Sequence, residues 1–302
     1  METGDDDDDD DDSVTSSTKN KSFMIIREMD VERAKSQLDE IWDDAPENAP
    51  FIDEEGDPAW GPVVLCDKIT WEDFDQWLGV HEGDVRRWIF EPLSPPDDKY
   101  GRVLIYSISS DIHAATAGKI LSMIQEEVLI AGNDIRLIRT IRIKASPTCR
   151  LGPQRGKEPD MSISPAGLTI GGSIMDNGYG YPFPHVIIEI AYKNESLSGL
   201  RRVIDHWMLP QTSVQVAIGI KIFVTSQGRP QRYRAIFAVR NSPTWEVEFG
   251  MDAGSAGPIA LAFPLERFFE GAPFPPALAN LADPTITIDL IALRNFVDAE
   301  FP

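Results

Sequence analysis

Cysteine is nearly absent from this 302-residue chain, and Cys66 and Cys149 show no CxxC or Cys/His ligand spacing. A disulfide framework and a structural zinc site are therefore unsupported, and both residues read as ordinary reduced thiols. Long apolar runs are missing too. The best candidates, residues 186–190 and 214–224, are strand-sized and fall short of the roughly 18–20 residues that span a bilayer. Where a secretory leader would be basic and then apolar, Met1-Glu2-Thr3-Gly4 leads into eight aspartates, Asp5 to Asp12. These absences point to a soluble intracellular protein, cytoplasmic or nuclear. Positive charge is scarce: 28 Lys and Arg stand against 49 Asp and Glu, a net charge of −21. Averaged over the chain, that argues against a nucleic-acid partner.

The average conceals a segregation. Residues 101–240 carry 17 Lys and Arg against 10 Asp and Glu, a balance of +7, which leaves 11 against 39 for the remainder. A basic middle between acidic ends fits an anionic ligand bound by the middle, with the ends lending solubility or competing for the same groove. With 42% hydrophobic residues the chain can bury a core in one large domain or two small ones. Four segments follow: a disordered acidic tail (1–21), an acidic accessory region (22–100), a core (101–240) and a C-terminal extension packed on it (241–302).

Periodicity supplies the elements. Residues 23–45 have loosely helical spacing, and Thr70 with Asp73 three places later caps a short helix that stops at Gly79. Residues 103–106 read as a strand. Ser109, Ser110 and Asp111 open a helix that runs to Ala131 and ends at Gly132-Asn133. Residues 135–144 alternate as a strand with a basic edge through Arg139, Arg142 and Lys144. After a strand opening at Pro159-Asp160 and a loop at 167–184 with five glycines, Val186-Ile187-Ile188-Glu189-Ile190-Ala191 reads as a strand buried on both faces. A helix over 198–208 follows, then strands at 214–224, 233–239 and 245–249, the first two joined by a Gln227-Gly228 turn. A helix at 265–270, a strand at 285–290 and a terminal helical turn complete the chain.

Glu189 is the anomaly. A carboxylate inside an apolar strand costs several kcal/mol unless it is paired or binds a metal. Asp160 is its natural partner, and two carboxylates on adjacent strands can hold Mg²⁺ or Mn²⁺ with waters left to activate. Lys193, four residues beyond Glu189, falls on the same face if the strand continues, where it could orient the attacking water. Either carboxylate could instead be structural, Asp160 capping a turn and Glu189 pairing with an arginine. Glu126 and Glu127 on the preceding helix read more naturally as surface acids, and His113 as a packing residue. Arg139, Arg142 and Lys144 suit phosphate contacts.

These residues resemble the PD-(D/E)XK nuclease superfamily, and more closely its restriction-endonuclease-like branch with fungal and other eukaryotic relatives. The resemblance is carried by Ser110-Asp111-Ile112-His113, by Glu158-Pro159-Asp160 and by the run from His185 to Ser196; it continues through Asp205, Trp207 and residues 214–222, covering roughly residues 65–225. It implies an α/β (mixed α+β) fold with a central mixed sheet flanked by helices. It also implies Mg²⁺ at Asp160 and Glu189, DNA phosphodiester hydrolysis and, often, a homodimer. One position departs from the pattern: the lysine expected two places after the acid is Ala191. Three expectations follow. The chain is a Mg²⁺-dependent endonuclease with Lys193 as a migrated lysine, or an inactive nuclease-fold module that binds nucleic acid or protein, or an interaction protein whose acidic tail mimics nucleic acid or contacts basic proteins; separately, the aspartate run could autoinhibit by occupying the basic groove.

Overall fold

The computed structural model describes residues 26–44, 46–54, 56, 58–81, 85, 87–93, 99–106, 111–152, 155–193, 195–224, 229–250, 259–282 and 284–300. The aspartate run, the Ser109-Ser110 cap and the Gln227-Gly228 turn lie outside them. In chain order the elements are α1 (Glu28–Asp43), β1 (Phe51–Ile52), β2 (Pro58–Ala59), β3 (Val63–Thr70), α2 (Trp71–His81), β4 (Trp88–Pro92) and β5 (Tyr100–Ile105). Then come α3 (Asp111–Gly132), β6 (Ile141–Lys144), β7 (Cys149–Gly152), β8 (Arg155–Lys157), β9 (Met161–Pro165), β10 (Val186–Ala191), α4 (Leu197–Trp207) and β11 (Val216–Val224). The chain continues through β12 (Pro230–Val239), β13 (Trp245–Gly250), β14 (Ala260–Pro264), α5 (Leu265–Phe268), β15 (Thr285–Asp289) and α6 (Leu290–Glu300).

The architecture is mixed α/β, with a six-stranded sheet in the order β13-β12-β11-β10-β9-β6. Its β10 and β11 run parallel, bridged by α4, and its other neighbours are antiparallel. The apolar run of β10 explains its central place, because every one of its residues is buried. Val186, Ile188 and Ile190 pack with Ile120 and Ile124 of α3, and Ile187 and Ala191 pack with Leu200, Ile204 and Trp207 of α4. Each such aliphatic side chain contributes about 1.5–3 kcal/mol by leaving water. Helix α4 lies close because Gly219, opposite Glu189, has no side chain; a Cβ there would sit 3.1 Å from Leu200 and Ile204. Ser196 starts α4 by accepting the Gly199 amide at 3.0 Å.

A second sheet, β3-β5-β4-β8-β7, packs its Ile89, Leu104, Cys149 and Leu151 into the α4 side of the first. It draws strands from both sides of residue 100. Thr70 caps α2 as the sequence predicts, accepting the Asp73 amide at 3.1 Å, although the helix runs past Gly79 to His81. Residues 135–140 are a correction. They form a 3-10 helix rather than the first half of a strand, because Asp134 accepts the Arg136 amide at 2.9 Å and turns the chain, so only 141–144 pairs with β9. Among the described residues no helix is long and apolar enough to cross a membrane.

Candidate functional site: a buried ionic centre

The antiparallel pairing of β9 with β10 places Met161 opposite Ile188, so Asp160, one residue before β9, reaches the main chain beyond Glu189. Its Oδ2 accepts the Ile190 amide at 2.6 Å. Glu189 reaches α4. There the Trp207 indole donates to Oε1 at 2.5 Å, and the Lys157 amine of β8 lies 3.4 Å from Oε2. The two carboxylates of the sequence reading therefore sit on neighbouring segments, Glu189 in β10 and Asp160 just ahead of β9. They are close enough for the charge of Asp160 to disfavour ionisation of Glu189.

Each acid has its own cation. Arg87 makes an ion pair to Asp160 through Nε. Its Nη2 lies 3.1 Å from Asp160 Oδ2, 2.8 Å from the Ile190 carbonyl oxygen and 2.9 Å from Glu195 Oε2. Lys221, in register with Ala191 on β11, donates to the carbonyls of Tyr192 and Glu195, both at 2.6 Å, and so ties down the turn after β10. Arg87, Lys157, Glu189, Glu195 and Lys221 are all at most 5% exposed.

Burial dominates the electrostatics. It pushes the Glu189 carboxyl from 4.5 up to about 7, with Lys157 opposing and Asp160 and Glu195 adding to the rise. Burial also raises Asp160, against the pull of Arg87. For Arg87 burial works against the charge, and the carboxylates of Asp160 and Glu195 outweigh it and hold the guanidinium protonated. His113, buried edge-on to Tyr192 at 6.1 Å, is held neutral by burial and by the nearby charges of Arg87 and Lys221.

The remaining candidates fall elsewhere. Strand β10 ends at Ala191, so alternation no longer governs Lys193, whose amine donates to the Asp44 carbonyl at 2.9 Å beside the Trp60 ring. Lys193→Ala is accordingly expected to shift the urea midpoint by no more than about 1 kcal/mol equivalent, the scale of one lost hydrogen bond. It should also leave the titration of Glu189 unchanged, as followed by carboxyl-selective infrared or NMR signals. Glu126 accepts from Ser122, and Glu127 accepts the Thr287 amide at 3.1 Å, joining α3 to β15. Arg139 and Arg142 are exposed, and Lys144 lies 5.2 Å over the Tyr181 ring. Arg142 and Lys144 sit on β6, the outer strand of the larger sheet.

The sequence reading gave no role to Arg87, Lys157 or Lys221, and it named Glu195 and Trp207 only among the residues that carry the resemblance. Lys157 was discoverable as the cation in Lys157-Glu158-Pro159-Asp160, and Lys221 as a charge inside an apolar strand. Arg87 carried no such signal. It meets Asp160 across 73 residues and Glu195 across 108.

The metal implied by the resemblance can be tested against these donors. Among the described residues no group of three or more His, Cys, Asp or Glu side chains is arranged to hold an ion. Asp160 and the Ile190 carbonyl are engaged by Arg87, and Glu189 by Lys157 and Trp207. As arranged, the residues do not fit a divalent cation, which needs several free oxygens and no competing charge.

No family model matches the sequence, and no curated protein matches it. Among solved structures the chain is similar to a protein of Anabaena variabilis ATCC 29413 described as a "putative nuclease belonging to DUF820". The two share 14% identity over 65% of this chain and 87% of that one, at a TM-score of 0.36.

Proposed function

We propose that this chain is a nuclease-type α/β module that binds nucleic acid, DNA in the first instance, without hydrolysing it. The observation that carries the reading is that resident groups already occupy both buried acids, Arg87 on Asp160, and Lys157 with the Trp207 indole on Glu189. A carboxylate whose oxygens are saturated by resident cations orders the fold and has nothing left with which to hold a water-activating ion. Binding then falls to the basic edge, where Arg139, Arg142 and Lys144 offer phosphate contacts. The Tyr181 ring, 60% exposed beneath Lys144, offers a face for stacking.

The reading is tested by DNA retention and by cleavage on the same samples. Fluorescence anisotropy of labelled duplex should give equal affinity in EDTA and in Mg²⁺. The joint Arg142→Ala and Lys144→Ala variant should lower the slope of log K against log salt by about 2, or about 0.9 per lost phosphate contact. Plasmid should stay intact in Mg²⁺ and Mn²⁺. A second reading, the Mg²⁺ or Mn²⁺ endonuclease with Asp160 and Glu189 as ligands and Lys193 orienting water, draws support from Glu189, whose carboxyl titrates near neutrality as catalytic groups often do. Metal-dependent cleavage lost in Asp160→Ala and Glu189→Ala would select that reading over ours.

A further inference from the structure

The oxygens around Arg87 come from three separate places in the chain: the carboxylate of Asp160 before β9, the main-chain carbonyl of Ile190 in β10 and the carboxylate of Glu195 in the turn before α4. All three converge within 3.1 Å of a single nitrogen. Carboxylates and a carbonyl gathered about one point are the donors that a hard divalent cation takes. Here the point is filled by the chain's own guanidinium, delivered from a residue in the left-handed region at φ +56°, a backbone state that is costly for arginine and is kept only where surrounding contacts enforce it.

We infer that Arg87 is the resident cation of this centre. It stands in for the divalent ion between Asp160, Glu195 and the Ile190 carbonyl, so that the site is complete without metal and becomes a metal site only when Arg87 is removed. The inference rests on the non-hydrolytic reading and adds two things to it: the residue responsible for the metal independence, and Glu195 as a ligand of the latent site. The charge balance agrees. Arg87 is paired with Asp160 and Glu195, and Lys157 with Glu189, so the buried acids of the centre already have cations beside them. A divalent ion added to that set is repelled by Arg87, whereas taking Arg87 away exposes two carboxylates and a carbonyl in a dry site, where attraction to a cation is strongest.

The test is Mn²⁺ binding to the full chain, read by the loss of free-ion electron paramagnetic resonance signal and by the thermal midpoint in EDTA and in Mn²⁺. The wild type should take up no Mn²⁺ at this centre and show equal midpoints. Arg87→Ala should melt below wild type in EDTA and recover in Mn²⁺, and should deplete the free Mn²⁺ signal at ion concentrations about tenfold or more below any at which the wild type does, a difference equal to about 1.4 kcal/mol or more. Adding Glu195→Gln to Arg87→Ala should abolish that gain, and Arg87→Lys, which keeps the charge, should not acquire it. Should Arg87→Ala fail to fold, Arg87→Gln, which keeps the bulk and loses the charge, carries the same test. A neutral variant at position 87 that folds and gains no Mn²⁺ binding overturns the inference and leaves the non-hydrolytic reading standing. Wild-type Mn²⁺ binding that disappears in Asp160→Asn overturns both.

Discussion

Asp160→Ala is expected to lower stability by about 3 kcal/mol, read as a fall in the urea midpoint of metal-free protein, because it strips a buried guanidinium of one of its two counter-charges and leaves Glu195 as the other. Arg87 is 5% exposed and cannot turn out to water to recover the loss, and the Ile190 amide loses its acceptor at the same stroke. The direction of the effect separates two kinds of acid pair. Two carboxylates held together in readiness for a metal repel each other while the metal is away, so deleting one of them raises the midpoint. Two carboxylates each matched to a cation behave in the opposite sense. Asp160→Asn should fall between, since an amide oxygen still accepts from Ile190 while the ion pair to Arg87 is gone. An unchanged or raised midpoint for the alanine variant in EDTA would show that Arg87 is not the partner that matters.

What the sequence disclosed and what it hid divide along a physical line. Strand β10 announced itself because burial on both faces demands an unbroken apolar run, and a charge at Glu189 within such a run is conspicuous whatever its use. Helices α3 and α4 were legible from apolar stripes at helical spacing, while the Ser196 cap of α4 went unread. The smaller sheet was hidden. Strands β4 and β8 are five and three residues long, too short for alternation to register, and their contribution to the core comes from pairing with each other and with β5. The basic run at 135–144 misled because apolar and basic residues also alternate where a 3-10 turn precedes a four-residue strand. Glu189 was legible as a cost that needed offsetting, with Asp160 beside it, but Arg87 was not, since an arginine 73 residues away from Asp160 has no periodic signature. The separation of Lys193 from the reading made for it has the same origin: face alternation holds only while the strand lasts, and β10 ends two residues too soon.

The carboxyl of Glu189 gives the second large expectation, a loss of stability on going from pH about 4.5 to about 7. Its folded pKa is raised to about 7 from 4.5, so across that window the native chain keeps a proton that the unfolded chain has released. The stability this group contributes is fully present below the unfolded value and is lost as pH rises through the folded one, about 3 kcal/mol in all at roughly 1.4 kcal/mol per pH unit. Asp160 is shifted in the same direction, so the wild-type slope alone does not isolate Glu189. Glu189→Gln does, because the amide is neutral at every pH and its oxygen still accepts from the Trp207 indole. The difference in unfolding free energy between wild type and Glu189→Gln, followed by urea titration at half-unit steps, should widen against the wild type as pH rises. A constant difference would mean that Lys157, 3.4 Å away, holds Glu189 ionised in the folded state throughout. In that case the ion pair, and not the protonated acid, would be what the strand carries at neutral pH, and a proton would no longer be available from this position to any ligand that reached it.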